Sequence, residues 1–400
     1  MPHGTASDAP RLDRAALASL RNSLLRWYRA GQRELPWRAP ATGSGSRVGA
    51  VDPYHVLVSE AMLQQTQVAT VEGYFQRFIE AFPTLNALAQ ADEQTVLAQW
   101  QGLGYYRRAR SLHAAARVIA SRHGGRVPST VEELLELPGV GPYTAGAIAS
   151  IAHGVKAAIV DGNVARVLAR LVCLDQPIDR PGGLRSLWSL AQCLVPEARE
   201  GFNHPGDFNQ ALMELGATTC TPRGPRCGNC PLRKRCQAHA SGDPTRWPVK
   251  SAPRKPLAVT HHAVALRTVT PEEGERWLLE RRGDEGLWAR MWQLPTLELA
   301  PDGDREIDDR TLRDWLRERL GLRARPLRRL AELRHATTHR AVAFVLWVGE
   351  VRGLRGLDAP KPDATRRWVA LSGVGSYPMS VPQRRLLKLA HERAHEASSP

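Results

Sequence analysis

From residue 11 to about residue 236, apolar side chains recur at three- and four-residue spacing, in segments such as LDRAALASLRNSLLRWYRA, DEQTVLAQWQGLG and RSLHAAARVIASRHG. That period predicts short amphipathic helices joined by brief loops, hence an all-helical domain over 11–240. Asp52 followed by Pro53 predicts an N-cap and first-turn pair opening a helix through YHVLVSEAML. Ahead of it, APATGSGSRVGAV around Gly43 is aperiodic and reads as a surface loop. The stretch 241–257 carries four prolines and no period, so it is expected to be a linker. Beyond it the texture changes to strand-like apolar runs, HHAVALRTV, RWLLERR and AVAFVLWVGEV, with a helical TLRDWLRERL between them. This predicts an α+β domain over 258–390, ending in a frayed tail.

Composition adds a charge of +15, from 55 basic and 40 acidic side chains, shared almost evenly between the two predicted domains. An anionic partner such as nucleic acid fits that charge, as does an Arg-rich solvated surface. No run of about 18 apolar residues occurs to span a membrane. MPHGTASDAP has no apolar signal core, so a cytoplasmic location is expected. In a reducing compartment cysteines seldom staple a fold, and four of the six crowd into 220–236. Cys220, Cys227, Cys230 and Cys236 give C-x6-C-x2-C-x5-C, which can surround one iron–sulfur cluster or one zinc ion. Zinc ribbons usually bring two C-x2-C knuckles and this loop has one, yet the chemistry leaves both open. Arg223, Arg226, Arg233, Lys234 and Arg235 share the loop and could face phosphates or balance an anionic cluster. Cys173 and Cys193 lie in apolar helical context and are expected in the core.

LPGVGPYTAG (137–146) joins two predicted helices through Gly139 and Gly141, leaving backbone N–H groups where a phosphate can sit. Asp161, in a D-G-N turn opening the next helix, reads by itself first as a plain N-cap, with a working carboxylate as the alternative. Glu60 stands alone in the apolar VLVSEAML. Such a carboxyl tends to stay protonated, which suits a general acid, unless an Arg pairs with it.

These features occur together with SEAMLQQTQV (59–68), VDGNVARV (160–167) and FNQALMELGATTC (208–220). The chain thereby resembles the helix-hairpin-helix DNA glycosylase superfamily and, within it, the MutY family of adenine DNA glycosylases. The resemblance covers residues 20–240 strongly and the C-terminal domain more weakly. It implies a multidomain fold: an all-α glycosylase domain with an iron–sulfur loop at 220–236, then an α+β Nudix-like domain that reads 8-oxoguanine.

The resemblance further implies a monomeric base excision enzyme that removes adenine mispaired with 8-oxoguanine or guanine in double-stranded DNA. Glu60 would protonate the base, Asp161 would stabilise the sugar cation, and Tyr143 would orient both. Relatives that also cut the strand carry Lys at this hairpin position, so Tyr143 implies a monofunctional enzyme. One [4Fe–4S] cluster would sit on the four cysteines. DNA contacts are implied for Gln65, Thr66, Tyr105 (a wedge), Gly139, Gly141, Asn163, Gln210, Thr338 and His339. Thr337-Thr338-His339 stands where the family usually has Phe-Ser-His, so the aromatic wedge there is absent. Of the acids a Nudix hydrolase needs, WLRERLGL keeps only Glu318, so recognition is expected rather than hydrolysis. Two alternatives remain at this stage: a bifunctional endonuclease III-like enzyme for oxidised pyrimidines, and a non-catalytic cluster-bearing DNA-binding protein.

Overall fold

The computed structural model describes residues 13–38, 51–198, 205–252, 255–271, 274–299, 307–337, 339–351 and 365–396. The stretch around Gly43, and Thr338, therefore lie outside the described residues. The chain forms two compact units, Met1–Ala91 with Arg110–Ala252, and Asp92–Ala109 with Pro253–Pro400. Among the described residues no helix is long and apolar enough to cross a membrane.

From Arg14 to Ala240 the regular structure is helical: α1 (Arg14–Gly31), α2 (Pro53–Leu63), α3 (Val68–Ala81), α4 (Leu85–Gln90), α5 (Glu93–Gln99), α6 (Arg107–Arg122), α7 (Val131–Leu135), α8 (Pro142–His153), α9 (Gly162–Val172), α10 (Pro181–Leu194), α11 (Pro205–Thr218) and α12 (Gln237–Ala240). Several of their starts are fixed by short polar side chains. Asp52 accepts from Tyr54 N at 2.8 Å, and Thr130 caps α7 through Glu133 N. The first unit's core joins α1, α9, α10 and α11 through Leu20, Leu24, Leu168, Leu187, Phe208 and Leu215, all at most 1% exposed. Burying each of these side chains stabilises the unit by about 1.5–3 kcal/mol, and together they hold the first turns of α8 and α9 at fixed places.

Between α7 and α8 the chain turns at Gly139, whose φ of +77° favours glycine. A Cβ there would lie 2.3 Å from Ser111 Cβ. Gly139→Ala should therefore lower stability by about 1–2 kcal/mol or more, checked by the urea midpoint of the purified variant.

The Pro-rich stretch after residue 241 is held to the helical unit over its first half. Buried Trp247 donates from its indole to Asp175 Oδ1 at 3.1 Å, and its carbonyl accepts from Arg170 Nε at 2.9 Å. Val249 O accepts from Ile178 N, and Ser251 N donates to Asp179. A lone aromatic with nowhere else to go fixes what the prolines alone suggest is free chain.

The second unit carries one mixed sheet: β1 (Leu257–Thr270), β2 (Gly274–Arg281), β3 (Trp292–Gln293), β4 (Thr296–Glu298), β5 (Arg328–Ala336), β6 (Arg340–Glu350) and β7 (Arg366–Val369), with α13 (Asp309–Leu320) and α14 (Val381–Glu396). The order is β3-β2-β1-β6-β5, with β4 beside β1 and β7 beside β2. β1 and β6 run parallel and the other pairs antiparallel. Successive β1 side chains face opposite ways. Ala263 and Ala265 pack with Leu386, Leu387 and Ala390 of α14, while Val264 and Leu266 pack with Leu312 and Leu316 of α13. Strand patterning on both faces explains why HHAVALRTV is nearly continuously apolar.

Candidate active site

Glu60 sits on α2 among Val56, Val58 and Met62, none more than 3% exposed, and is itself 5% exposed. Its Oε2 has no hydrogen-bond partner. It faces a cavity of about 490 Å3 that is also lined by Gln64, Tyr143, Asp161, Gln210 and Met213. Burial pushes the Glu60 carboxyl up to about 7; the Tyr143 hydroxyl and Arg38 draw it down and the Asp161 charge pushes it further up. At neutral pH a large fraction of Glu60 thus holds a proton beside an open cavity, the condition for a general acid.

Asp161 is the N-cap of α9: Oδ1 accepts from Val164 N at 2.7 Å and Oδ2 from Asn163 Nδ2 at 3.2 Å. Burial raises its pKa, and these same donors with Arg166 pull it back. The two readings of Asp161 are one arrangement, because the capping geometry is what aims the carboxylate into the cavity. Tyr143, in the first turn of α8, donates its hydroxyl to Met213 Sδ at 3.1 Å. Burial, then the Glu60 and Asp161 charges, push its own pKa far up, so it is a neutral phenol.

Gln65, Thr66, Asn163 and Gln210 line the same cavity. Gln65 has a φ of +57° and Thr66 Oγ1 donates to Gln64 O at 3.4 Å. A left-handed glutamine is strained, and the helix end it terminates sits at the site. Sequence reasoning missed the other charged wall. Arg33 Nε lies 2.6 Å from Glu214 Oε1, and Arg38 Nη2 lies 3.0 Å from Oε2. Burial alone would raise the Glu214 pKa; Arg33 and Arg38 more than offset it. A signal was present: Gln210, Met213, Glu214 and Ala217 fall at i, i+3, i+4 and i+7, one face of α11, and all four line the cavity.

Gly141 is the N-cap of α8, and an added Cβ would meet nothing within 4 Å. Its neighbour Gly139 is demanded by the fold, whereas Gly141 leaves open the N–H groups that favour an anion. In the second unit, Tyr105 is 48% exposed with a φ of +49°, while Tyr106 is buried and accepts from Gly102 N at 3.1 Å. The β5–β6 turn closes through Thr337, whose Oγ1 accepts from Arg340 N at 3.0 Å. His339 in that turn is exposed, and its carbonyl accepts from Leu257 N. On α13, Arg319 reaches back to buried Glu280 at 2.8 Å.

Cys220, Cys227, Cys230 and Cys236 line one pocket with Arg170 and His239. Arg170 Nη1 lies 3.3 Å from Cys220 Sγ and 2.7 Å from Thr221 O; Arg166 donates to Cys220 O at 2.7 Å. Burial pushes the Cys230 thiol up to about 11 and raises Cys236, and charges on the other cysteines add to both. Four soft sulfur ligands facing one space, unable to ionise together without a cation, fit a metal centre. Among the described residues no three His, Cys, Asp or Glu side chains converge as closely as a single ion requires. The basic residues Arg223, Arg226, Arg233, Lys234 and Arg235 are all exposed. Cys173 and Cys193 are not core residues as expected: Cys193 is exposed, and Cys173 is half-buried in a left-handed C-cap of α9. Apolar neighbours along the chain did not reveal that one faces out and the other ends its helix.

A helical unit with a Gly hairpin, two carboxylates on one cavity and a four-cysteine loop, followed by a Nudix-like sheet, defines a DNA glycosylase of the helix-hairpin-helix class. In agreement, the HhH-GPD superfamily base excision DNA repair protein family matches residues 58–189, and the NUDIX domain family matches 268–389. Adenine DNA glycosylase of Rattus norvegicus is 34% identical over 95% of this chain and 79% of that protein; the Homo sapiens enzyme is 37% identical over 89% and 71%. The Mycolicibacterium smegmatis enzyme is 44% identical over 55% of this chain and 70% of its own length. The chain belongs to the adenine DNA glycosylase family, enzymes of base excision repair that remove adenine from DNA. Neither a strand-cutting pyrimidine enzyme nor a non-catalytic binder is favoured.

Proposed function

We propose that this enzyme hydrolyses the N-glycosidic bond of adenine mispaired with 8-oxoguanine or guanine in duplex DNA and leaves an abasic site without cutting the strand. The observation that carries the reading is the pair of carboxylates on one cavity, Glu60 buried and able to keep its proton up to about pH 7, Asp161 held by the Val164 N–H and the Asn163 side chain. An adenine inside a duplex is out of reach, so the nucleotide is flipped into the cavity between Glu60 and Gln210. Glu60 gives its proton to N7 as the C1′–N9 bond breaks, the bonding electrons leaving with neutral adenine. Asp161, ionised, stabilises the sugar cation until water adds to C1′ and gives up a proton. Two carboxylates in unequal environments divide acid and charge roles as in glycoside hydrolysis. Tyr143 orients both and, being a phenol, offers no amine for a Schiff base.

Gln65, Thr66 and exposed Tyr105 contact the strand opposite adenine, Tyr105 as a stacking wedge. Open N–H groups at Gly141, after the turn at Gly139, hold a phosphate; Asn163 keeps Asp161 in place. His339 in the β5–β6 turn, with Thr338, contacts 8-oxoguanine. Arg319 of α13, which pairs with Glu280 of β2 beside the single acid Glu318, supports recognition rather than metal-dependent hydrolysis. Cys220, Cys227, Cys230 and Cys236 would hold one [4Fe–4S] cluster through four thiolates. Bound there, it would pin the loop that carries Arg223, Arg226, Arg233, Lys234 and Arg235.

The test offers purified enzyme A opposite 8-oxoguanine, A opposite G, and thymine glycol in duplex DNA, then cleaves abasic sites with alkali. Strand breaks from the first two only, with no borohydride-trapped complex at bifunctional levels, are expected. Silence on both adenine substrates overturns the assignment. The same preparation should be brown and contain iron with equal sulfide; zinc alone would remove the cluster.

A further inference from the structure

Tyr105 is fixed in place by its neighbours in the second unit. Buried Trp100, the C-cap of α5, donates its indole N–H to Gly104 O at 3.1 Å, and Gly102 N donates to the Tyr106 hydroxyl at 3.1 Å. The Arg108 guanidinium donates to Gly104 O at 3.3 Å and lies 5.3 Å from the centre of the Tyr105 ring. Tyr105 takes a left-handed φ of +49°, which side chains with a Cβ rarely adopt. These bonds fix where its exposed ring stands relative to α5, so the place of the ring follows the place of that helix.

The first turn of α5 is in turn gripped from the β2–β3 loop and β3. Arg290 Nη1 donates to Glu93 Oε1 at 3.1 Å and Oε2 at 2.9 Å. Gln94 uses both ends of its amide: Oε1 accepts from the Trp292 indole N–H at 3.1 Å, and Nε2 donates to Arg290 O at 3.4 Å. Trp292 is buried and paired with Arg281 of β2, and Asp284 Oδ1 accepts from Arg290 Nε at 2.8 Å, so both partners are themselves fixed. Arg290 is also left-handed, with a φ of +64°, and its carbonyl and guanidinium meet adjacent residues of α5. One exposed ion pair stabilises little, but an ion pair and a two-ended amide side by side set a helix's orientation. We propose that this clasp, Glu93 and Gln94 on Arg290 and Trp292, is a positioning element for Tyr105. The inference rests on the wedge role of Tyr105 proposed above. The sheet that carries the β5–β6 turn with His339 then also sets the wedge, and the two groups meet the strand opposite adenine in a fixed register.

Arg290→Met removes the guanidinium and keeps the stem; Glu93→Gln removes the charge at equal size. Each is made in the full chain, alone and together with Tyr105→Ala. Excision is measured under single turnover on A:8-oxoguanine duplex. Wedge insertion is measured separately with 2-aminopurine beside 8-oxoguanine, opposite a 2′-fluoroadenosine that resists hydrolysis, because unstacking raises the fluorescence. Both clasp variants should lose much of the fluorescence gain and excise about 10-fold more slowly, as a misplaced contact group costs. Neither should slow excision further once Tyr105 is Ala, because the effect passes through that ring. A merely structural loss would multiply with that of Tyr105→Ala; multiplied losses, or a full fluorescence gain in both clasp variants, overturn the proposal. If Tyr105→Ala alone behaves as wild type in both assays, the wedge reading falls and the proposal with it. If it is impaired while Arg290→Met and Glu93→Gln match wild type, only the clasp falls.

Discussion

Glu60→Gln should lower adenine excision by about 100- to 10,000-fold, the usual worth of a positioned general acid, while duplex affinity measured by gel shift stays near wild type. The amide keeps size and polarity but has no proton of suitable acidity. Wild-type excision should fall as pH rises through about 7, where burial places the Glu60 carboxyl. The same burial predicts a stability effect of opposite direction. The folded pKa lies above the ordinary 4.5, so the folded state holds an extra proton between these values. The contribution of Glu60 to stability is intact below pH 4.5 and is lost as pH rises through about 7. At about pH 8 Glu60→Gln should therefore be more stable than wild type, by on the order of 1–3 kcal/mol, and the gain should vanish near pH 4. Urea denaturation at the two pH values measures it. Equal stability at both would mean that Glu60 is not desolvated as its surroundings indicate.

The residues that sequence alone pointed to are those whose local pattern is unusual. Glu60 was visible as one charge in an apolar helix, Asp161 as a helix start, Gly139 and Gly141 as a turn, and the four cysteines as a spacing. Their convergence was not visible, since it depends on α2, α8, α9 and α11 meeting at one cavity. What was missed is long-range. Arg33 and Arg38 meet Glu214 across some 180 residues of chain, and Met213 meets Tyr143 across 70. No short pattern announces such pairs, although the spacing along α11 showed that Glu214 shares a face with Gln210. Cys173 and Cys193 show the opposite limit: periodicity assigned them to helices but not to a side or an end. Trp247 shows a third, because a Pro-rich composition says nothing of where one buried indole will anchor.

Asp161→Asn tests whether that carboxylate does more than begin a helix. Asn caps as well as Asp, accepting from Val164 N through its amide oxygen, so stability should change by less than about 0.5 kcal/mol. Its side chain carries no charge. If Asp161 stabilises a sugar cation, excision should fall by a factor of about 1,000 or more even with the fold intact, since a fixed charge against low-dielectric protein walls is worth more than in water. Asp161→Ala adds the loss of the cap, costing about 1 kcal/mol of stability with no further loss of rate beyond that of the Asn variant. The comparison turns on the Asn protein: full excision would reduce Asp161 to a cap. Inactivity with an unchanged urea midpoint and unchanged duplex affinity would assign the effect to its charge, because the helix geometry that Val164 and Asn163 enforce is common to both.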